Sequence, residues 1–125
     1  MTKVFEVSPQ ARVYAYSEPV NMCCSFNGLS VLTQKKLKRD PRANDLFLFR
    51  NRVGNYVKIL YHDGDGFCIW QKRLDNGLFD VDRMTGRMTT AAMEQLVNNV
   101  VRTDRTNKVI AAQQTGRGNF GRVAA

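Results

Sequence analysis

Residues Lys58–Phe79 run KILYHDGDGFCIWQKRLDNGLF, and the two turns inside this stretch decide the fold. Asp63-Gly64-Asp65-Gly66 supplies the residue types a tight turn wants for backbone reasons. Before it, Val57, Ile59 and Tyr61 alternate with Tyr56, Lys58, Leu60 and His62; after it comes Phe67-Cys-Ile-Trp-Gln-Lys72. That period of two predicts a pair of antiparallel strands. Asp75-Asn76-Gly77 carries the Asn-Gly pair suited to a type I′ hairpin, so another strand is expected over Leu78–Val81. Upstream, Leu46-Phe-Leu-Phe-Arg50 is apolar on both faces, as a buried strand is, and Asn51–Asn55 turns the chain into the next one. The middle of the chain is thus expected to be an antiparallel meander of about four strands.

Outward from this centre the period changes. Arg12–Tyr16 (RVYAY) is a short strand candidate, broken by Ser17-Glu18-Pro19. Met22, Phe26, Leu29, Leu32 and Leu37 then recur at helical steps, with Asn21 placed as N-cap and Pro41 as the stop. Gly28 inside this helix costs about 1 kcal/mol relative to Ala, which points to a close approach to the sheet. Downstream, Thr89 fits an N-cap, with Met88 and Met93 as a hydrophobic staple. Met93, Leu96, Val97, Val100 and Val101 share one helical face. Beyond Arg102 the periodicity fades: Arg102, Arg105, Lys108, Arg117 and Arg122 face only Asp104, a net +4 out of the chain's +8, and TGRGNFGR is Gly/Arg-rich. The expectation is one compact α+β domain over 1–102, with a short N-terminal strand, an amphipathic helix, the meander and a C-terminal helix. A flexible basic tail would occupy 103–125.

With 125 residues, 43% of them hydrophobic, such a chain can hide roughly 65–70% of its unfolded surface. Its 19 Lys+Arg against 11 Asp+Glu favour polyanionic partners such as DNA, RNA or an acidic protein face. Cys23 and Cys24 are neighbours, and their Cα separation of ~3.8 Å falls short of the usual disulfide span of ~4.4–6.8 Å. Three reduced thiols and a cytoplasmic protein are therefore expected. With His62 the single histidine, no zinc-ligand spacing arises, and no cofactor is expected. Nothing approaches the ~20 apolar residues of a membrane helix.

Catalytic chemistry finds no footing. Asp63 and Asp65 lack the further ligands of a calcium loop and are better explained as turn residues. His62 has no nucleophile partner in sequence. Cys23 and Cys24, on the expected first helical turn, are better read as small semi-buried residues than as activated thiols. GRGNFG lacks the strand and helix of a phosphate loop. Asp75, Asp80 and Asp82 read as turn and edge residues. Tyr56, Tyr61, Phe67 and Trp70 offer stacking faces, though aromatics in a small sheet more often belong to its core. Cations make the stronger case. Lys35, Lys36, Lys38 and Arg39 close the first helix, where they also complement its dipole, with Arg42 just beyond. Arg50 and Arg52 flank a turn, Lys58 lies on a strand, and Lys72-Arg73 ends another. In a meander, Arg50, Arg52, Lys58, Lys72 and Arg73 collect at one edge. With Arg117 and Arg122 in the tail, these form the expected nucleic-acid-binding set.

The order of motifs resembles the small TnpB accessory proteins of the insertion-sequence-66 family of bacterial transposons. The resemblance covers about Val13 to Val100. It is carried by Met22, by FNGL at Phe26–Leu29, RDP at Arg39–Pro41 and LFLFRNR at Leu46–Arg52. Its most specific block is VKILYHDGDGFCIWQKRLDNGLF at Val57–Phe79, followed by the MTTAAMEQL helix start. It implies a protein encoded beside a transposase and needed for efficient transposition, with no assigned catalytic residues and a DNA-binding or complex-assembling role. The alternative to DNA binding is an adaptor docking on a transposase or, in a copy repurposed by a phage or mobile element, on a host protein. Where the family pattern has Asp-Met-Arg-Lys and Phe-Asp-Gly-Leu, this chain has Asn21-Met22-Cys23-Cys24 and Phe26-Asn27-Gly28-Leu29.

Overall fold

A computed structural model describes residues 10–103 and 109–114, with side chains over 10–100. The elements run β1 (Arg12–Ala15), α1 (Phe26–Lys35), β2 (Leu46–Arg50), β3 (Tyr56–His62), β4 (Phe67–Arg73), β5 (Gly86–Thr89), α2 (Thr90–Asn98), β6 (Asn99–Thr103) and β7 (Val109–Gln114). The main sheet has the order β4-β3-β2-β1-β5. β1 and β2 are parallel, with Tyr14 opposite Phe47, and α1 is their crossover; every other pairing is antiparallel. The expected α+β class is the observed one.

Both faces of the sheet are covered, which explains why β2 reads apolar throughout. Leu46 and Leu48 join Val13, Ala15, Val57, Ile59 and Trp70 on the face closed by α2, through Met93, Leu96 and Val97. Phe47 and Phe49 join Tyr14 and Leu60 on the face closed by α1, through Leu29. Thr89 caps α2 as the spacing predicts, its hydroxyl accepting the Ala92 N–H at 3.1 Å. Met88 packs against the same cluster as Met93, in keeping with the staple.

Three local expectations are revised. α1 starts at Phe26 with Ser25 as N-cap, later than the helical spacing implies. Asn21 instead closes a turn, its Oδ1 accepting the Cys23 N–H at 2.8 Å and its carbonyl the Cys24 N–H at 3.0 Å. Gly28 lies close to Cys24 rather than to the sheet: a Cβ there would meet the Cys24 side chain at 3.3 Å. The meander has three strands, because the chain after Asn76-Gly77 does not fold back along β4. It crosses the end of the β3–β4 hairpin, where the Leu74 N–H donates to Asn55 O and the Phe79 N–H to Gly54 O, both at 2.8 Å. Phe79 and Met84 thereby fill the α2-side core, a 3-10 turn forms at Val81–Arg83, and β5 takes the other edge, beside β1.

Within the expected tail, Val109–Gln114 pairs with β6 as a separate two-stranded sheet. Arg105, Lys108, Arg117 and Arg122 lie outside the described residues. Among those described, no helix is long and apolar enough to cross a membrane.

Candidate functional site

Because β1 and β2 run parallel, α1 must travel back from the end of β1 to the start of β2. The basic cluster that follows α1 therefore sits at the end of the sheet where β2 starts. Arg50, Arg52 and Arg73 sit at the other end, where β2 and β4 finish. The length of β2 separates the two groups, on the order of 15 Å for five residues at ~3.3 Å each. The cations expected to act together form two groups.

At the first end Lys35, Lys36, Lys38, Arg39 and Arg42 are all exposed. The Arg39 N–H bonds Thr33 O at 3.1 Å after Lys38 enters the left-handed region, φ 57°, a conformation that favours glycine at helix ends. The Arg39 guanidinium lies 4.3 Å from the centroid of the Tyr14 ring, and that of Arg42 5.5 Å from Phe67. Such contacts hold a cation flat against an aromatic face. Two carboxylates at this end are turned to the backbone: Asp40 Oδ1 accepts the Arg42 N–H at 2.9 Å, and Asp63 Oδ1 accepts the Asp65 and Gly66 N–H groups at 3.0 Å. These bonds hold the Asp63 carboxyl below its ordinary pKa and give it the turn role expected. Asp65 is exposed in the same turn. Among the described residues the one ion pair is Arg12–Asp45, at 3.8 Å; none of the five clustered cations has a carboxylate partner there.

Two lysines of the expected set point inward. Lys58, 7% exposed, donates from Nζ to Met22 O at 2.7 Å and Cys24 O at 2.8 Å. Those carbonyls bind the ammonium instead of opening a helix, which accounts for the late start of α1. Lys72, 2% exposed, donates to Val97 O in the last turn of α2 at 2.8 Å, and burial pushes its pKa down to about 8. Neither ammonium lies on an outer face, so the basic edge is smaller than the residue spacing implies.

At the second end Arg52 and Arg73 are exposed, while Arg50 is half-buried and donates to Ser17 O at 2.8 Å. A groove of about 460 Å³ opens here between the 19–22 segment and the β2–β3 turn, and no sequence signal singled it out. Its turn is organised by Asn51, whose Oδ1 accepts the N–H groups of Gly54, Asn55 and Tyr56 at 2.9, 3.1 and 3.2 Å. A second cleft of about 290 Å³, reached by Arg83 and Arg87, lies between α2 and β5. Of the aromatics considered for stacking, Trp70 is in the core, Phe67 lies beneath Arg42, and Tyr56 donates to Gln71 Oε1 at 3.1 Å. Burial and the neighbouring Cys68 push the Tyr61 hydroxyl up to about 12. All three cysteines are free; Cys23 is exposed and Cys24 half-buried, outside α1.

The chain is 40% identical over 68 residues to the uncharacterized protein y4hO of Sinorhizobium fredii, covering 54% of this chain and 59% of that one. It is 32% identical over 68 residues to the uncharacterized protein y4jC of the same organism, covering 54% and 58%. The match thus spans somewhat under two thirds of each relative. No solved structure matches the chain. The family model described as IS66 Orf2-like protein matches residues 11–108, which include both ends of the sheet and both helices. The chain belongs to the IS66 Orf2-like family of transposon-associated accessory proteins.

Proposed function

We propose that the chain is a non-catalytic nucleic-acid-binding accessory factor of a transposable element, gripping DNA phosphates at the α1-exit end of the sheet. Lys35, Lys36, Lys38, Arg39 and Arg42 are the contacts, and Arg117 and Arg122 add non-specific attraction. The observation that carries this reading is Lys38 at φ 57°. An L-residue other than Gly or Asn in that region costs about 1–2 kcal/mol. A cation stands where glycine would relieve strain, amid four others without carboxylate partners among the described residues. Arg39 and Arg42, already held on Tyr14 and Phe67, lose little freedom on meeting a phosphate, which favours binding. The restriction to one end follows from the inward lysines.

Fluorescence anisotropy of a labelled duplex across a salt series tests it. If all five residues meet phosphates, they contribute about −4 to −5 to the log–log slope, at −0.9 per contact, and the tail adds to it. Reversing Lys35, Lys36 and Lys38 to Glu is expected to flatten it by about 3, whereas Arg73→Glu at the opposite end leaves it unchanged. Equal affinity and slope in the triple variant would overturn the reading.

A further inference from the structure

The groove at the far end of the sheet differs in chemistry from the basic cluster. Pro19, Val20, Met22, Val53 and Tyr56 give it apolar walls, and Arg52 is the one charged residue in its lining. Val53 is 65% exposed at its rim, and Phe26, where α1 starts at this end, is 44% exposed. These are two of the three large apolar residues left exposed among those described, the third being Val31 on α1. Arg73 stands directly across from Tyr56 in the β3–β4 register, adding a second cation beside the apolar wall. Among the described residues no carboxylate lines it: Glu18, next to Pro19, and Asp75, two residues past Arg73, both lie outside the lining.

Both walls are tied down. The first is fastened by the Val20 N–H on Arg50 O at 2.8 Å, by Arg50 on Ser17 O, and by the buried Lys58 ammonium on Met22 O and Cys24 O. The second is the Asn51-centred turn, braced further by Asn51 Nδ2 on Asn55 Oδ1 at 2.7 Å. A cleft preformed to this degree costs little ordering when it is filled, and its volume lies in the range of ligand-binding clefts, ~300–1,000 Å³.

We infer that this groove docks an extended peptide segment of a partner protein, one that sets an apolar side chain beside a carboxylate. The apolar side chain fills the space between Val20, Met22 and Val53, and the carboxylate meets Arg52, with Arg73 within reach of a second acid. Nucleic acid suits the groove poorly, because a backbone needs a row of cations and this lining holds one. The inference stands apart from the nucleic-acid reading: it uses the opposite end of the sheet and none of Lys35, Lys36, Lys38, Arg39 or Arg42. An accessory protein with both surfaces would hold DNA at one end and a protein at the other.

The test is selection of a displayed library of random dodecapeptides on the full chain, then anisotropy of labelled winners against variants. The expected winners share an apolar residue next to Asp or Glu. Val53→Asp and Arg52→Glu, both at exposed turn positions that leave the circular dichroism unchanged, are each expected to weaken them by roughly tenfold, in the range of interface hot spots. Lys36→Glu, in the basic cluster, leaves them unaffected. No enrichment, basic winners, or winners indifferent to Val53→Asp would overturn the inference. Methyl NMR signals of Val20 and Val53 that move on adding duplex DNA assign the groove to nucleic acid, and signals that move on dilution of the protein assign it to a second copy; either overturns it too.

Discussion

Lys72 gives the most exacting test of how the cations are sorted. Its ammonium is buried against Val97 O, and burial lowers its pKa from 10.5 to about 8. Folding therefore disfavours the charged form. Between pH 8 and 10.5 the unfolded chain holds a proton that the folded chain has released, so stability rises with pH in that window. Below the folded pKa the full cost applies. A shift of about 2.5 units at 1.36 kcal/mol each sets a ceiling of about 3 kcal/mol, of which about 2 is recovered between pH 7 and pH 9.5. Lys72→Met keeps the packing of the aliphatic stem and removes the titration. Urea unfolding of both proteins at several pH values from 7 to 9.5 isolates the effect, since other titrating groups cancel in the difference. Wild-type stability is expected to gain about 2 kcal/mol on the variant across the range. A difference that stays constant, or falls with pH, would refute the burial reasoning. The same variant is expected to bind duplex DNA with an unchanged salt slope, because an ammonium on Val97 O cannot also neutralise a phosphate.

Lys38→Gly is expected to raise stability while lowering DNA affinity, the two moving in opposite directions. Relief of about 1–2 kcal/mol of left-handed strain, less about 0.5–1 for glycine's entropy, leaves a gain on the order of 0.5–1 kcal/mol in urea unfolding. Asn51→Ala removes the acceptor of three backbone N–H groups and is expected to cost about 2–3 kcal/mol by the same assay. It should also raise amide exchange rates at Gly54–Tyr56. Gly54→Ala combines φ 90° with a Cβ placed 3.0 Å from the Val81 side chain, for a loss of about 1–3 kcal/mol, seen as a lower thermal midpoint.

β2 was legible as a short apolar run bounded by turn residues, and β3 and β4 as two strand-length runs flanking the tight turn Asp63–Gly66. β5 was not. Gly86-Arg87-Met88-Thr89 is four residues at an edge with only Met88 half-buried, so no period of two exists to read, and its pairing with β1 is decided by chain geometry. Leu78–Val81 misled for the opposite reason: Asn76-Gly77 is a sound turn signal, but Phe79 is drawn to the core across the hairpin's end, a tertiary demand the local sequence does not display. The parallel pairing of β1 and β2 was equally invisible, since it rests on α1 carrying the chain back across the sheet before β2 starts, which the local pattern does not display. At the candidate site, the exposed cluster from Lys35 to Arg42 could be read from spacing alone. The groove could not, because its walls, 19–22 and 51–56, are joined only through the β1–β2 pairing and the Lys58 and Arg50 bonds.

The inward lysines follow from one architectural fact. A sheet with a single wet face gives every Lys on alternate strand positions somewhere to go. This sheet has no wet face among its central strands, since α1 closes one side and α2 the other. Lys58 sits between Val57 and Ile59 on β3, and Lys72 shares a face with Trp70 on β4, so each ammonium must find acceptors inside. The acceptors present are carbonyls at the ends of the covering helices: Met22 and Cys24 ahead of α1, and Val97 in the last turn of α2. Each lysine therefore fastens one covering helix to the sheet. The net charge of +8 accordingly overstates the charge available to a polyanion. Among the described residues, five exposed cations gather at one end of the sheet, and Arg52 and Arg73 stand beside an apolar groove at the other. The two proposed surfaces share no contact residue, so filling one would leave the contacts of the other free.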